Sequence, residues 1–476
     1  MSRLSSNEQL RSNRPRMMLF SICIGAFISH FTAGVVNVSL PALSHSFHTD
    51  VSIMQWVTTG YLLVITICLP IMGKLGDKYS HRNIHNYGYL VFTISSVLVA
   101  LSWNVASLLL FRTMQAIGAA MYQATNIALI SIHQPKESRG RALGFVSTAV
   151  ALGGMAGPLA GGFIMQFLSW EWLFLIHVPA SVAATFLAFR YIPKRIDGEE
   201  DNVPFDRTGA ALFAAFFGIV IYAVTQANNG PLFSSGIWMT TSAAVIVFLL
   251  FLSWEKQQAH PFIATQLFLK PVVTVGLLVS FVAFLVVNNL LVVFPFYVTG
   301  LVGLSLHSAG MLMMTYPIAL ALSGPITGFL SDRFGSKLFP LTGLVLMGGG
   351  SLVLSFWLDT VSPIVLAIVL LVTGVGMGLI ATPINSVILR HIPTSHSGSA
   401  GGLIALSRNA GMAIGSAIGL GMMNHTGGVG NTVLPVFSRV FILNVTFCFI
   451  GVILYAYAIR KSKNTSQSAM GKEVQK

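Results

Sequence analysis

The stretch Gly73-Lys74-Leu75-Gly76-Asp77-Lys78-Tyr79-Ser80-His81-Arg82 returns, altered, as Gly328-Phe329-Leu330-Ser331-Asp332-Arg333-Phe334-Gly335-Ser336-Lys337. The shared frame is G-x-L-x-D-[K/R]-x-x-x-[K/R], and each copy follows one long apolar run and precedes another. A polar segment repeated at matching places predicts a duplicated architecture with two related halves.

The apolar runs decide how those halves are held. Of 476 residues, 54% are hydrophobic and 9% charged, whereas an ordinary globular chain carries about 25% charged residues to cover its surface. The charges fall between the runs, which is the arrangement a bilayer imposes on a chain that crosses it repeatedly. With a window of about twenty residues, spans are predicted to begin near Met17, Met54, Ile84, Ala106, Arg141, Trp172, Thr208, Gly236, Val272, Ser308, Leu338, Pro363, Ser399 and Val440, fourteen in all. The repeated segment then follows the second span and the tenth, which requires spans seven and eight to be an insertion between two sets of six. The predicted class is an all-α integral membrane protein with 14 transmembrane helices as 6+2+6. Its parts are an N-terminal tail (1–16), an N-terminal six-helix bundle (17–194), a cytoplasmic linker plus two additional helices (195–262), a C-terminal six-helix bundle (263–461) and a C-terminal tail (462–476).

An even count puts both termini on one side of the membrane. Of 27 Lys and Arg, Arg112 and Arg408 lie inside spans, Arg439 lies at the far end of the last loop, and the other 24 fall on the side of the N-terminus. Positive charge is retained on the cytoplasmic face, so both termini and both tails are expected in the cytoplasm. The first run has no small-residue cleavage site in the right place, and a retained first helix is expected. The formal charge of +13 forms no stripe with interleaved aromatics and is not a nucleic-acid surface. Cys23, Cys68 and Cys448 lie singly in apolar runs, without the spacing of a disulfide framework or a metal site.

Two spans carry further patterns. The fourth reads Arg112-Thr113-Met114-Gln115-Ala116-Ile117-Gly118; an arginine at a helix centre costs about 2.5 to 3.5 kcal/mol on insertion scales, so it faces a polar interior or snorkels to an interface. The fifth holds Gly144, Gly153 and Gly157-Pro158-Leu159-Ala160-Gly161-Gly162. Glycines four apart let backbones touch, and Pro158 removes a donor and bends its helix.

On these residues the chain resembles the major facilitator superfamily, and within it the fourteen-helix drug:proton antiporters, over nearly its whole length. The resemblance implies a gating role for the repeated loop, carried by Gly73, Asp77, Lys78 and Arg82 and, in the second copy, by Asp332 and Arg333. The fourth span is similar to the family pattern R-x-x-Q-G-x-G-x-A, with Ala116 in place of its first glycine. The fifth resembles the frame G-x8-G-x3-GP-x2-GG, here Gly153, Gly157, Pro158, Gly161 and Gly162, that marks the antiporter branches and implies export. Weaker matches are Asn37-Val-Ser-Leu-Pro41, Gln55-Trp56 with Tyr61, and Ser407-Arg408-Asn409. Gly374-Val-Gly376-Met-Gly378 lies inside a long apolar run and is no nucleotide loop.

The chain departs from that pattern in its acids. The antiporters carry an aspartate five residues before the asparagine that matches Asn37, and here that position is Thr32. Of 14 acidic residues, 11 map to cytoplasmic segments and Asp50, Glu171 and Asp359 to external loops, which leaves none for the membrane interior. Coupling candidates are therefore His30, whose imidazole changes charge between about pH 5 and 8, and Arg112; a packed polar histidine is the equal alternative for His30. Cavity candidates are Thr32, Asn37, Gln115, Gln123, Asn126, Asn288, Asn289, Met314, Tyr316 and Arg408, a set in which soft and aromatic groups adapt to varied shapes. Two cavity arginines would favour a neutral or anionic substrate.

The expectation is a multi-pass transporter of the cell membrane that expels drugs or other toxic small molecules by alternating access. No enzymatic reaction, bound cofactor or metal is expected, and the driving force implied by the resemblance is the proton gradient. Its partners would be a small-molecule substrate and the lipid bilayer, with neither nucleic acid nor an obligate protein partner. The alternatives are an exporter or facilitator of a specific neutral or anionic metabolite or lipid-like compound, and a non-transporting membrane sensor.

Overall fold

Inside a bilayer every backbone N–H and C=O must find its partner within the chain, and a sequence of long apolar runs meets that demand with helices. The computed structural model describes residues 2–49, 51–54, 56–193, 205–229, 235–259, 261–262, 270–304, 306–356, 362–392, 397–424 and 433–473. The acidic stretch Asp197–Asp201, Asp50, Gln55 and Asp359 lie outside the described residues. Asn37 and Pro158 lie in helices, and their side chains also fall outside the description.

The described regular structure is helical throughout. Its elements are α1 (Ser2–Ser46), α2 (Val51–Met54), α3 (Trp56–Tyr79), α4 (His81–Ala100), α5 (Val105–His133), α6 (Arg139–Phe167), α7 (Trp172–Leu175), α8 (Val178–Tyr191), α9 (Arg207–Asn229) and α10 (Ser235–Gln257). They continue with α11 (Pro271–Gly300), α12 (Leu306–Met313), α13 (Thr315–Phe334), α14 (Phe339–Phe356), α15 (Pro363–Arg390), α16 (Ser397–Asn424) and α17 (Val433–Glu473). Among the described residues, ten helical segments are long and apolar enough to cross a membrane by length and composition. Expected spans near Ile84, Arg141, Thr208 and Ser399 also form helices, within α4, α6, α9 and α16, but are not among those ten. The physical reason for three of them is legible: α4 opens on His81-Arg82-Asn83, and α6 and α16 are rich in glycine, alanine and serine. Two expected spans are broken. The sixth splits into α7 and α8 around His177 just before Pro179, and the tenth splits into α12 and α13 at Met314.

The chain divides into two compact units, Met1–Phe205 with Thr394–Leu406, and Asp206–Pro393 with Ser407–Lys476. In the first, α6 packs along α1, α5 lies between α3 and α4, and α8 rests on α1 and α4. In the second, α15 packs on α13 and α14, α17 on α11 and α14, and α9 on α10.

A glycine stripe fixes the approach of two helices in each unit. A Cβ at Gly153 would strike Phe27 O, at Gly157 it would come within 2.6 Å of Phe31 O, and at Gly161 within 2.6 Å of Val35 O, so α6 lies backbone to backbone against α1. In the second unit Gly411, Gly415 and Gly419 of α16 meet Phe281 O, Leu285 O and Asn289 Oδ1 of α11 in the same way. Gly162 has nothing within 4 Å and takes no part in this contact. The Gly374, Gly376 and Gly378 cluster is likewise packing, against Tyr316 O, Gly343 O and Ser323.

The two copies of the repeated loop turn alike. Ser80 has φ 123° and Gly335, its counterpart in the frame, has φ 86°. Glycine adopts positive φ without a steric penalty, whereas serine at φ 123° holds its Cβ against the backbone at a cost of about 1–2 kcal/mol. Ser80→Gly is expected to raise thermal stability in detergent by roughly that amount, less the extra chain entropy of about 0.5–1 kcal/mol that glycine adds to the unfolded state; a lowered melting temperature would contradict the strain.

Candidate functional site

The α5 helix begins on a reciprocal cap: Asn104 Oδ1 accepts from Ser107 N at 2.8 Å, and Ser107 Oγ accepts from Asn104 N at 3.2 Å. This fixes where Arg112 emerges, two turns into the helix. Its side chain is 1% exposed, so it does not snorkel to an interface. A buried guanidinium keeps its charge and must direct its donors to oxygens. Here Nη1 donates to Gln115 Oε1 at 2.5 Å, Nε to Val57 O at 3.2 Å and Nη2 to Thr32 O at 3.3 Å. The cation also lies 3.9 Å from the Tyr61 ring centroid and 5.5 Å from that of Phe174.

The partners extend the network. Gln115, itself buried, donates through Nε2 to Ser96 Oγ at 2.7 Å and lies 3.5 Å from His177 Nε2. His177 is 3.2 Å from Ser96 Oγ and 3.4 Å from Thr32 Oγ1, with the rings of Phe31 and Phe92 against it. The imidazole reaches this place because the chain breaks between α7 and α8, with His177 at the N-cap position of α8. One network thus joins α1, α3, α4, α5 and the α7–α8 break. It contains Thr32, Arg112 and Gln115 from the expected set, and His177, which the sequence reading passed over.

The other expected residues lie apart from it. His30 turns Nδ1 to Ala26 O of its own helix at 3.0 Å. Gln123 donates to Ser29 Oγ at 2.6 Å, and Asn126 is buried with its Oδ1 unpaired among the described residues. In the second unit Asn289 donates to Asn444 Oδ1 at 2.9 Å, Asn288 Oδ1 accepts from Ser416 Oγ at 3.1 Å, and Arg408 lies 5.9 Å from the Phe284 ring. Tyr316 is buried, and Met314 sits half-buried at the α12–α13 break. Glu255, counted among the cytoplasmic acids, lies in the last turn of α10, 2% exposed, and accepts from Phe262 N at 3.0 Å.

The gating candidates occupy helix ends. Gly73 is buried on α3, and Asp77 lies 3.4 Å from His81 Nε2, one turn on. Arg82 donates Nε to Ile192 O at 2.8 Å and Nη2 to Phe189 O at 3.1 Å, so it caps the end of α8, where unpaired carbonyls gather partial negative charge. Lys78 lies 5.3 Å from the Tyr79 ring; Arg333 is exposed, 5.4 Å from the Phe334 ring, and Asp332 is half-buried.

A helical chain with a buried cationic network, paired glycine stripes and a duplicated loop points to one family, and the sequence matches the Major Facilitator Superfamily over residues 22–269 and 276–475. The chain belongs to the major facilitator superfamily. It is 32% identical over 458 residues to the riboflavin transporter RibZ of Clostridioides difficile (strain 630), which covers 94% of this chain and 98% of that one. It is 27% identical over 424 residues to the tetracenomycin C resistance and export protein of Streptomyces glaucescens, covering 87% of this chain and 77% of that one. Among solved structures, the human organic anion transporter MFSD10 superposes with a TM-score of 0.65 at 14% identity, over 91% of this chain and 99% of that one, a likeness of fold. The facilitator chain is a multi-pass membrane protein and a transporter.

Within that facilitator fold Gln115 is the hinge of the polar network, serving Arg112, Ser96 and His177 together. Replacing it with leucine leaves a buried guanidinium one acceptor short, at a cost of about 1–3 kcal/mol. Gln115→Leu is therefore expected to lower the melting temperature in detergent, whereas Gln123→Leu, outside the network, should cost less; equal losses would show that Gln115 holds nothing special.

Proposed function

We propose that the chain is a secondary active exporter of small molecules at the plasma membrane, working by alternating access of its two repeated halves and driven by the proton gradient. The fourteen spans are read as 6+2+6 with both termini cytoplasmic, because that count alone leaves the basic residues on one side. Export rests on the α6 frame of Gly153, Gly157 and Gly161, whose contact with α1 makes a close-packed seam. A likeness to the tetracenomycin C resistance and export protein supports the same direction.

The observation that carries the coupling reading is the placement of His177. It is the imidazole that touches Thr32, Ser96 and Gln115 at 3.2–3.5 Å, while the charged neighbour within the network is Arg112. Hydroxyls and an amide can donate or accept, so a proton gained or lost at the ring is answered by reorienting neighbours. A proton on His177 and the fixed charge of Arg112 repel, which links protonation to the packing of five elements. In this reading His177 takes the coupling role first given to His30, and Asp77 with Arg82 belongs to the gate.

A second reading is favoured by the interior's chemistry. Donors and a guanidinium face Thr32 and Gln115 with no carboxylate in the described network, and a relative carries riboflavin, an uncharged aromatic molecule. On this reading the substrate is a specific neutral or anionic metabolite in place of a range of cationic drugs. A strain lacking the protein, tested against cationic, anionic and flavin-like compounds, separates the two: sensitivity to unrelated cations supports drug efflux, and riboflavin accumulation alone supports the metabolite.

Coupling is tested in proteoliposomes with an imposed pH gradient, using the substrate found in that screen. His177→Gln is expected to reduce gradient-driven export at least tenfold, the lower end of what a positioned proton carrier contributes, while leaving substrate exchange at equal pH. His30→Gln should stay near wild type. The reverse ranking would return the role to His30.

A further inference from the structure

The end of the second unit that bears the Gly328–Lys337 loop holds a cavity of 680 Å³, within the range that takes drug-sized ligands. Its walls are apolar, built from Val272 of α11, Phe339 of α14, and Leu379 and Val387 of α15. Polar atoms gather at the mouth. Lys337 and Arg390 line it, and His391 stands beside Arg390. Lys270 adds a further cation at the rim, donating to His391 O at 2.8 Å. No Asp or Glu is among the lining residues described. Within the cavity lies Tyr455 of α17, 1% exposed, whose hydroxyl has no hydrogen-bond partner among the described residues. A buried hydroxyl ordinarily finds a partner.

The cavity arises from a difference between the two halves. Arg82 and Lys337 hold the same place in the repeated frame. In the first half α8 stops at Tyr191, and Arg82 caps its carbonyls. In the second half α17 runs on to Glu473. It presents no helix end there for Lys337 to cap, and Lys337 instead lines an open space beside Tyr455. Gly335, at φ 86°, turns the chain so that Ser336 and Lys337 enter that space.

Exposed apolar side chains flank the basic loop. Phe334 is 71% and Leu338 69% exposed, so an aromatic ring, an aliphatic side chain and a cation stand together, the combination suited to the level where a bilayer passes from acyl chains to headgroups. We propose that this cavity binds an anionic phospholipid, with the phosphate held by Lys337, Arg390 and the Tyr455 hydroxyl and an acyl chain laid along Val272, Phe339 and Leu379. The charge partition puts this end in the cytoplasm, where the inner leaflet supplies such lipids. The site is separate from the Arg112 network and does not depend on what the protein exports.

The test is retention of lipid by the full chain. Protein in nanodiscs of mixed phosphatidylglycerol and phosphatidylcholine is released and weighed by native mass spectrometry. Wild type is expected to keep phosphatidylglycerol in preference to phosphatidylcholine. Lys337→Gln and Arg390→Gln should each weaken retention by about fivefold, the effect of one basic residue near an anionic surface; Tyr455→Phe should weaken it less, and Lys337→Arg should preserve it. Dodecyl phosphate should displace the lipid while inorganic phosphate at equal concentration does not. Equal retention of the two lipids, unchanged retention in both glutamine variants, or displacement by inorganic phosphate would overturn the proposal. Helical circular dichroism of each variant separates lost binding from lost fold, with Lys337→Arg as the folded reference.

Discussion

A guanidinium that cannot reach water sets the terms for the first unit. Arg112 is held 1% exposed, and a charge in that position is tolerated only if its donors are all aimed at oxygens and its faces at π-systems. Supplying them takes Val57 O, Thr32 O and Gln115 Oε1, with Tyr61 and Phe174 against the charge. Those groups come from separate helices, so the cost of desolvating one arginine becomes a constraint on how α1, α3, α5 and α7 sit together. Two carbonyl partners belong to helix backbones, and a shift of α1 or α3 is felt directly at the charge. That coupling between helix position and charge is what a transporter needs if proton binding is to move protein.

The glycine stripes allow this without loosening the bundle. Lipid tails are as apolar as leucine, so helices in a membrane gain little from hydrophobicity and associate through close packing. Gly153, Gly157 and Gly161 let α6 rest on the carbonyls of α1 along the segment from Phe27 to Val35 that includes Thr32. The same device, Gly411, Gly415 and Gly419 against α11, appears in the second unit. There the neighbouring polar groups are amides, Asn289 with Asn444, in place of an arginine network. The halves thus share their packing scaffold and differ in what it holds.

Features that depend on a single helix or a short loop were legible in the sequence. Arg112 with Gln115 is an i, i+3 pair on one face, the first glycine stripe announces itself by its spacing, and the loop repeat shows in its frame. What could not be read depends on chain segments far apart. His177 is 62 residues from Gln115 and 145 from Thr32 along the chain, and no periodicity links them; the one local hint was Pro179, which interrupts the sixth span just after it. His30 is two residues from Thr32 in the sequence, yet two residues turn about 200° around a helix, and its ring meets Ala26 O of its own helix instead of the network. The second glycine stripe, Gly411-x3-Gly415-x3-Gly419, carries the same spacing, and only the structure shows which helix it meets.

The comparison of Arg82 with Lys337 shows how a duplicated sequence acquires two functions. Both follow a left-handed residue at the same point of the repeat, Ser80 and Gly335, so the loop geometry was inherited intact. A basic side chain in that place goes wherever negative potential lies nearest. After α8 ends, that is a set of helix carbonyls, and Arg82 binds them with two donors. Along α17 the helix continues and its carbonyls are already used within it, so among the described residues none gives Lys337 the carbonyls that Arg82 has. The capping of α15 is done instead by Lys270, through His391 O. The extension of one helix past the end reached by its counterpart thereby turns a structural cap into an unspent cation beside an apolar cavity, and a charge so placed at a membrane boundary is a recognition element for an anionic lipid.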